Sequence, residues 1–158
     1  MISLPLLNHC QQDSFESVGK LDYLIIPGPE PTYHPTPAEQ KFIKEKYDEV
    51  DFFFTVCTGI LPALHSGILS GKRVTAPRGL LPLLRNMAPN VQWTEKRWEV
   101  DDSGKLWTSG GVTNGHDMMA AFIKTVFTQP IPEVVRILAD VDDRGVEYSK
   151  EFDPSLLS

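Results

Sequence analysis

Asp51-Phe52-Phe53-Phe54-Thr55-Val56-Cys57-Thr58-Gly59 is the stretch whose reading decides the fold. A short apolar run without polar alternation is what a strand buried on both faces looks like, and parallel sheets are built from such strands. No spacer separates it from the helical run Ile60 to Leu69. Position 57 is then the turn residue between strand and helix, a strained place exposed at the sheet edge. The start of a helix beside it leaves N–H groups free, which favours the thiolate of a cysteine placed there. The spacing is equally compatible with an inert thiol closing a core strand, because free cysteines are often buried.

Outward from this stretch the same alternation repeats. Upstream, Asp22-Tyr23-Leu24-Ile25-Ile26 is a second short apolar run, ended by Pro27-Gly28-Pro29, and reads as a buried strand. Thr36-Pro37-Ala38-Glu39 opens a helix with a cap, a proline in the first helical position and a capping box, and Phe42, Ile43 and Tyr47 share one face of it. Downstream, Gly71 ends the helical unit and Arg73-Val74-Thr75 is a brief third strand. Strands are expected over 91–93, 97–100 and 105–108, the last two joined by the Asp101-Asp102-Ser103-Gly104 turn. Gly110-Gly111-Val112-Thr113-Asn114-Gly115 leads into a helix over about 117–127, and Pro130 and Pro132 start a last helix toward Tyr148. Strands and helices alternating in this way predict an α/β three-layer sandwich with a mainly parallel sheet.

At 158 residues the chain fits a single domain spanning 1–158. Fifteen basic against 21 acidic residues give a net charge of −6, which argues against a nucleic-acid or anionic-membrane surface. No apolar run is long enough to span a membrane. Met1 to Leu7 lacks a basic start and contains Pro5, so it makes a poor export signal. Cys10 and Cys57 are the only cysteines, so no disulfide framework exists and a cytoplasmic setting is expected.

In a parallel sheet, ligands collect where strands end. That criterion selects His34, in the loop after the Asp22 strand, and His116, at the start of the helix after the 105–108 strand, as candidate bases for Cys57. Either would serve equally well as a solvent-exposed side chain. His65, eight residues into its helix, reads as a packing residue. Arg78, beyond the third strand, is a candidate for holding an anionic substrate group, with a surface salt bridge as the plain alternative. Trp93, Trp98 and Trp107 are expected to pack the sheet and hairpin.

Two patterns mislead. Asp140-Val141-Asp142-Asp143-Arg144-Gly145 with Glu151 mimics a calcium loop, but Arg144 puts a cation where a ligand belongs. Gly110, Gly111 and Gly115 suggest a phosphate loop without the required Gly-Lys-Ser/Thr, and are expected instead to supply positive-φ turns and close backbone approach. His9-Cys10 has no partner at metal-ligand spacing, so no metal site is indicated.

Taken together, Asp22-Tyr-Leu-Ile-Ile-Pro-Gly28, Val56-Cys57-Thr58-Gly59, Ser66-Gly-Ile-Leu-Ser-Gly-Lys-Arg-Val-Thr75, Trp107-Thr-Ser-Gly-Gly-Val112 and Gly115-His-Asp117 resemble the ThiJ/PfpI superfamily over about 20–150. The resemblance implies the fold of class I glutamine amidotransferase-like domains, a flavodoxin-like sandwich. It also implies a nucleophile elbow at Cys57, frequent homodimers, no cofactor, and an oxyanion pocket of backbone N–H groups near Gly28-Pro29 and at Thr58.

Departures from the pattern narrow the function. Pro77 stands where many relatives have a histidine, and Thr58 follows Cys57 where the superfamily's proteases resemble a Cys-His pair. No late His-x-Glu pair follows Thr113, as amidotransferases require. Pro29 removes an N–H that often belongs to the oxyanion hole. The first strand–helix–strand unit, which carries the acid that partners the cysteine, is expected to be absent or much reduced. The elbow is most similar to that of isocyanide hydratase-like members. The resemblance therefore implies a cysteine-dependent hydratase or lyase acting on a small molecule, with a pocket formed by Pro29, His34, Pro77, Arg78 and Asn114. The alternatives are a lyase or isomerase using His116 or His34 as base, and a non-catalytic binding or structural relative. Association with a second copy or with a separate N-terminal polypeptide is expected, with Met1–Leu7 as an exchanged strand.

Overall fold

A computed structural model of the chain describes residues 14–142 and 144–153. The strand β1 (Tyr23–Ile26) leads through a proline-rich loop to α1 (Pro37–Glu49), and β2 (Phe52–Val56) runs through a 3₁₀ turn at Cys57–Gly59 into α2 (Ile60–His65). Next come β3 (Arg73–Thr75), α3 (Leu81–Met87), β4 (Gln92–Thr94), β5 (Trp98–Val100) and β6 (Leu106–Ser109). The helices α4 (Val112–Val126) and α5 (Ile131–Leu138) close the order. The Met1–Leu7 segment and Cys10 lie outside the described residues.

The main sheet runs β1-β2-β6-β5, with β1, β2 and β6 parallel and β5 antiparallel to β6. The single sheet expected from the sequence is divided, since β3 and β4 form their own parallel pair. A hydrogen bond from the Thr75 N–H to Thr108 Oγ1, 2.9 Å, ties that pair to β6. Phe53 and Leu106 face α1, α2 and α3 in a core with Ile43, Ile60 and Leu84, whereas Phe54 and Trp107 face α4 with Met118 and Phe122. Alternating strand residues thus supply both helical layers, the three-layer α/β sandwich that buried parallel strands require.

The capping box at Thr36 forms as the sequence implies, the Thr36 hydroxyl accepting from the Glu39 N–H while the Glu39 carboxylate accepts from the Thr36 N–H. All three tryptophans pack, with Trp98 stacked on Trp107 and the Trp93 indole N–H donating to the Ala88 carbonyl.

Two helices are shorter than expected. The helix after the elbow stops at His65, and Gly67 and Gly71 then take positive φ of 80° and 74°. The last helix stops at Leu138 instead of reaching Tyr148, because Asp140 turns into the left-handed region at φ 53° and Gly145 follows at 70°. Further on, the Val146 carbonyl accepts from the Arg97 N–H at 2.8 Å, beside β5 at the sheet edge.

Candidate active site at the β2–α2 elbow

Cys57 has φ 56°, a left-handed conformation that a side chain with a Cβ adopts at a cost. It is partly buried, and the geometry follows from the sequence: β2 holds its ladder to Val56, and the 3₁₀ turn begins at the next residue. With no spacer available, the reversal falls on position 57.

The turn is possible because two glycines let neighbouring backbone in. A Cβ on Gly59 would strike the Ile26 carbonyl oxygen, so the end of β1 lies directly against the elbow. A Cβ on Gly28 would lie 2.6 Å from Thr58 Oγ1 and 3.2 Å from Thr58 N. The Thr58 hydroxyl donates to the Pro29 carbonyl at 2.5 Å, fastening the loop after β1 to the turn. Gly28, Thr58 and Pro29 therefore meet at Cys57. Pro29 also lines an apolar cavity of about 300 Å³ with Ile26, Pro27, Tyr33, Phe42 and Pro62.

On the other side of the elbow, the β2–β6 register ends where Val56 pairs with Ser109, and Gly110 follows Ser109. Ala76, next to Pro77, brings its carbonyl oxygen within 3.2 Å of where a Gly110 Cβ would stand, and the Tyr148 hydroxyl occupies that same place. Tyr148 donates to Asn114 Oδ1 at 3.1 Å, which brings the buried Asn114 into the group. The Arg78 guanidinium lies 4.4 Å from the Tyr148 ring centre and that of Arg97 lies 5.3 Å from it. Burial pushes the Tyr148 phenol above its ordinary range, against the pull of these two cations.

The remaining sequence candidates lie elsewhere or are already engaged. Arg78 donates from Nε and Nη2 to Glu95 at 2.9 and 2.6 Å, and from Nη1 to the Lys150 carbonyl at 2.9 Å, so the salt bridge is what the structure displays. His34 is exposed, and its ring meets that of His65 edge-on at 5.4 Å. His65 ends α2 at the far end from Cys57. His116 is exposed on α4 and lines a groove with Met119, Ile123, Val135 and Arg136 beside α5. The inward position at this helix start belongs to Gly115, where a Cβ would stand 3.0 Å from the Val56 side chain, so the next residue is turned outward. His116, expected as a candidate base for Cys57, is therefore an exposed side chain on the outer side of α4.

Gly110, Gly111 and Gly115 all avoid positive φ, so only the close-approach half of their expected role is seen. Arg144 in the false calcium loop is explained by a fork onto Asp117. Among the described residues no cluster of three metal-ligating side chains occurs, and no helix is long and apolar enough to cross a membrane.

Tyr148, packed at Gly110 beside Asn114, is a residue that sequence reasoning left at the end of a helix. The signal was available in the dense turn residues of 140–145, which, read as a helix stop and not as a failed calcium loop, free the following segment to come back to the sheet.

An α/β sandwich with a strained cysteine between a parallel strand and the helix after it defines a class of protein. Comparison with known proteins identifies the family: the chain matches the DJ-1/PfpI family over residues 10–125 and belongs to it. It is 31% identical over 106 residues to an isonitrile hydratase of Pseudomonas putida, a match covering 66% of this chain and 45% of that protein. The chain thus spans less than half the length of that curated relative. Among solved structures it resembles an AraC family transcriptional regulator from Pseudomonas putida, with TM-score 0.69 at 13% identity, covering 81% of this chain and 68% of that one. It also resembles Schizosaccharomyces pombe DJ-1, with TM-score 0.60 at 22% identity, covering 77% and 63% of the two chains. A ThiJ/PfpI family protein from Pseudomonas syringae gives TM-score 0.64 at 19% identity, covering 88% of this chain and 55% of that one. At these identities the solved structures speak for the fold.

Proposed function

We propose that the chain is a cysteine-dependent hydratase for small isocyanides. The observation that carries the reading is Cys57 at φ 56° on the elbow, with Gly28 and Thr58 packed against it. The Cys57 thiolate attacks the electrophilic carbon, backbone donors of the elbow steady the developing charge, and water completes the hydration to an N-formamide. The apolar cavity beside Pro29 suits a hydrocarbon substituent. Likeness to the Pseudomonas putida isonitrile hydratase supports the choice of substrate class.

The test is incubation with cyclohexyl isocyanide and detection of the formamide by proton NMR. Wild-type chain is expected to form it and Cys57→Ala to fail. A wild type that yields none would leave the second reading, a non-catalytic binding relative. That reading is favoured by Pro29, whose nitrogen has no proton to lend to an oxyanion.

Self-association belongs to the same proposal. Among the described residues strand β1 lies at an edge of the sheet, and its Tyr23 and Ile25 are 48% and 49% exposed. An apolar edge strand of this kind favours pairing with a second copy. Light scattering across a dilution series is expected to show a dimer that Ile25→Lys converts to monomer. A monomeric wild type at micromolar concentration would refute the pairing.

A further inference from the structure

We infer that the cavity at the carboxyl end of β1 is a recognition site for an uncharged hydrocarbon group of about two rings, with Phe42 as its specificity-determining wall. The inference deepens the hydratase reading by naming the substituent its substrate carries. The link to turnover rests on that reading, whereas the binding itself does not. The site lies where β1 ends. Ile26, Pro27 and Pro29 form its inner wall, and crevices at the carboxyl ends of parallel strands are where α/β sheets hold ligands. That wall is shared with the elbow turn, since the Ile26 and Pro27 carbonyl oxygens press on Gly59 and the Pro29 carbonyl accepts from the Thr58 hydroxyl.

The opposite wall comes from α1. Glu39, Phe42 and Ile43 stand at i, i+3 and i+4, the spacing that puts side chains on one helix face, and all three line the cavity. Phe15 stacks on Phe42 with ring centres 4.6 Å apart and lines the cavity beside it. Pro27, Pro29, Pro35 and Pro62 are also part of the lining. Proline backbone is already fixed, so little freedom is lost when a ligand enters. At about 300 Å³ the volume is roughly twice that of an apolar cavity that takes benzene, which sets the size at two fused rings.

Charge decides the class of ligand. Glu39 is the one charged residue among the described residues of the lining. Its Oε2 accepts from the Thr36 N–H at 2.7 Å and the Thr36 hydroxyl at 2.8 Å, and its Oε1 accepts from the Tyr33 hydroxyl. The Tyr33 hydrogen bond, then those of Thr36, hold the carboxyl below its ordinary range, so it stays charged and committed to the loop and the helix cap. A ligand anion meets this charge with no cation in the lining to pair it, and a ligand cation finds both carboxylate oxygens in use. A neutral hydrocarbon meets Leu24, Ile26, Ile43 and the two stacked rings, and gives up no hydrogen bond on entry.

The closing experiment titrates the full chain with naphthalene and follows side-chain methyl resonances by NMR. Naphthalene is expected to bind with a Kd of about 100 μM or tighter and to shift the methyls of Leu24, Ile26 and Ile43. Those of Ile131, Ile137 and Leu138, exposed apolar side chains of α5, are expected to stay in place. Shifts confined to α5, or absent from all six residues, overturn the site. The ions 2-naphthoate and 2-naphthylmethylammonium carry the same rings with a charge, and each is expected to bind about tenfold more weakly. Equal or tighter binding of either overturns the uncharged class. Phe42→Ala is expected to weaken naphthalene about fivefold and to raise KM for cyclohexyl isocyanide with kcat unchanged, the mark of binding energy used equally in ground and transition states. Phe15 is 47% exposed, so Phe15→Ala keeps the fold, and it is expected to weaken naphthalene about twofold through the lost stack. Unchanged affinity in Phe42→Ala, or in Phe15→Ala where the first variant unfolds, overturns the role of the wall. Naphthalene binding without formamide from wild type overturns the hydratase reading and leaves the site standing. Formamide without a shift at Leu24, Ile26 or Ile43 does the reverse.

Discussion

Arg144 clasps Asp117 in a two-point fork, Nε donating to Oδ1 at 3.0 Å and Nη2 to Oδ2 at 2.6 Å, while Nη2 also reaches the Thr113 carbonyl at 3.2 Å. The aspartate side chain is 4% exposed, so it depends on this partner, and the fork pins the segment carrying Tyr148 to the first turns of α4. Removing one member of a buried pair leaves the other charge stranded. Arg144→Ala is expected to lower unfolding stability by about 2 kcal/mol, with a double-mutant coupling to Asp117→Asn of at least about 1 kcal/mol. Urea titration of the four proteins measures it, and additive effects would show that the fork contributes nothing.

The glycines divide into two kinds. Gly59 gives way to the Ile26 carbonyl, which is backbone and unable to move alone, whereas Gly67 at φ 80° has open space where its Cβ would be. Gly59→Ala is therefore expected to cost about 3 kcal/mol through overpacking and to disturb Cys57 labelling. Gly67→Ala is expected to cost only the left-handed penalty, about 1 kcal/mol, with labelling unchanged. Equal costs for the two substitutions would mean that the β1 end does not press on the elbow.

Asp101 sits at the β5–β6 turn, where burial alone would raise its carboxyl. The Leu106 N–H, the Ser103 hydroxyl and Lys72 outweigh burial and hold it below its ordinary 3.8. A depressed folded value means that the unfolded chain takes up the proton first as pH falls. The group's full contribution is present above about pH 4 and is lost as pH drops through the folded value. Asp101→Asn is expected to cost about 2 kcal/mol at pH 7, with the gap to wild type closing below about pH 4. Parallel denaturation curves at each pH check the sign, and a gap independent of pH would contradict it.

What the sequence disclosed followed from local chemistry. Phe52–Val56 has the composition of a buried strand, Thr36 and Glu39 announce a helix start, and the Asp101–Gly104 turn forces a hairpin. Position 57 was legible because a strand and a helix met there with no residue to spare. Partner choice was not legible. His116 points outward because Gly115 is the residue small enough to lie on Val56, and His34 meets His65 because α1 and α2 pack together. The left-handed turn at Asp140 carries no glycine of its own, so the stop lies in the turn residues of 140–145 as a group, which also mimic a calcium loop.

The strain at Cys57 has a measurable consequence. Ordinarily alanine outranks glycine in stability, because glycine gives up more backbone freedom on folding. At φ 56° the Cβ itself is the burden, and only glycine sheds it. Cys57→Gly is therefore expected to be more stable than Cys57→Ala by about 1 kcal/mol, a reversal of the usual order. Both variants lose the thiol, so the comparison isolates the backbone from the chemistry. If wild type also falls below Cys57→Gly, the cysteine is held at this turn against the preference of the fold, as expected where a reactive group is kept in place at a cost in stability. Thermal unfolding of the three proteins decides it. Alanine equal to or above glycine would show that the elbow stores no strain.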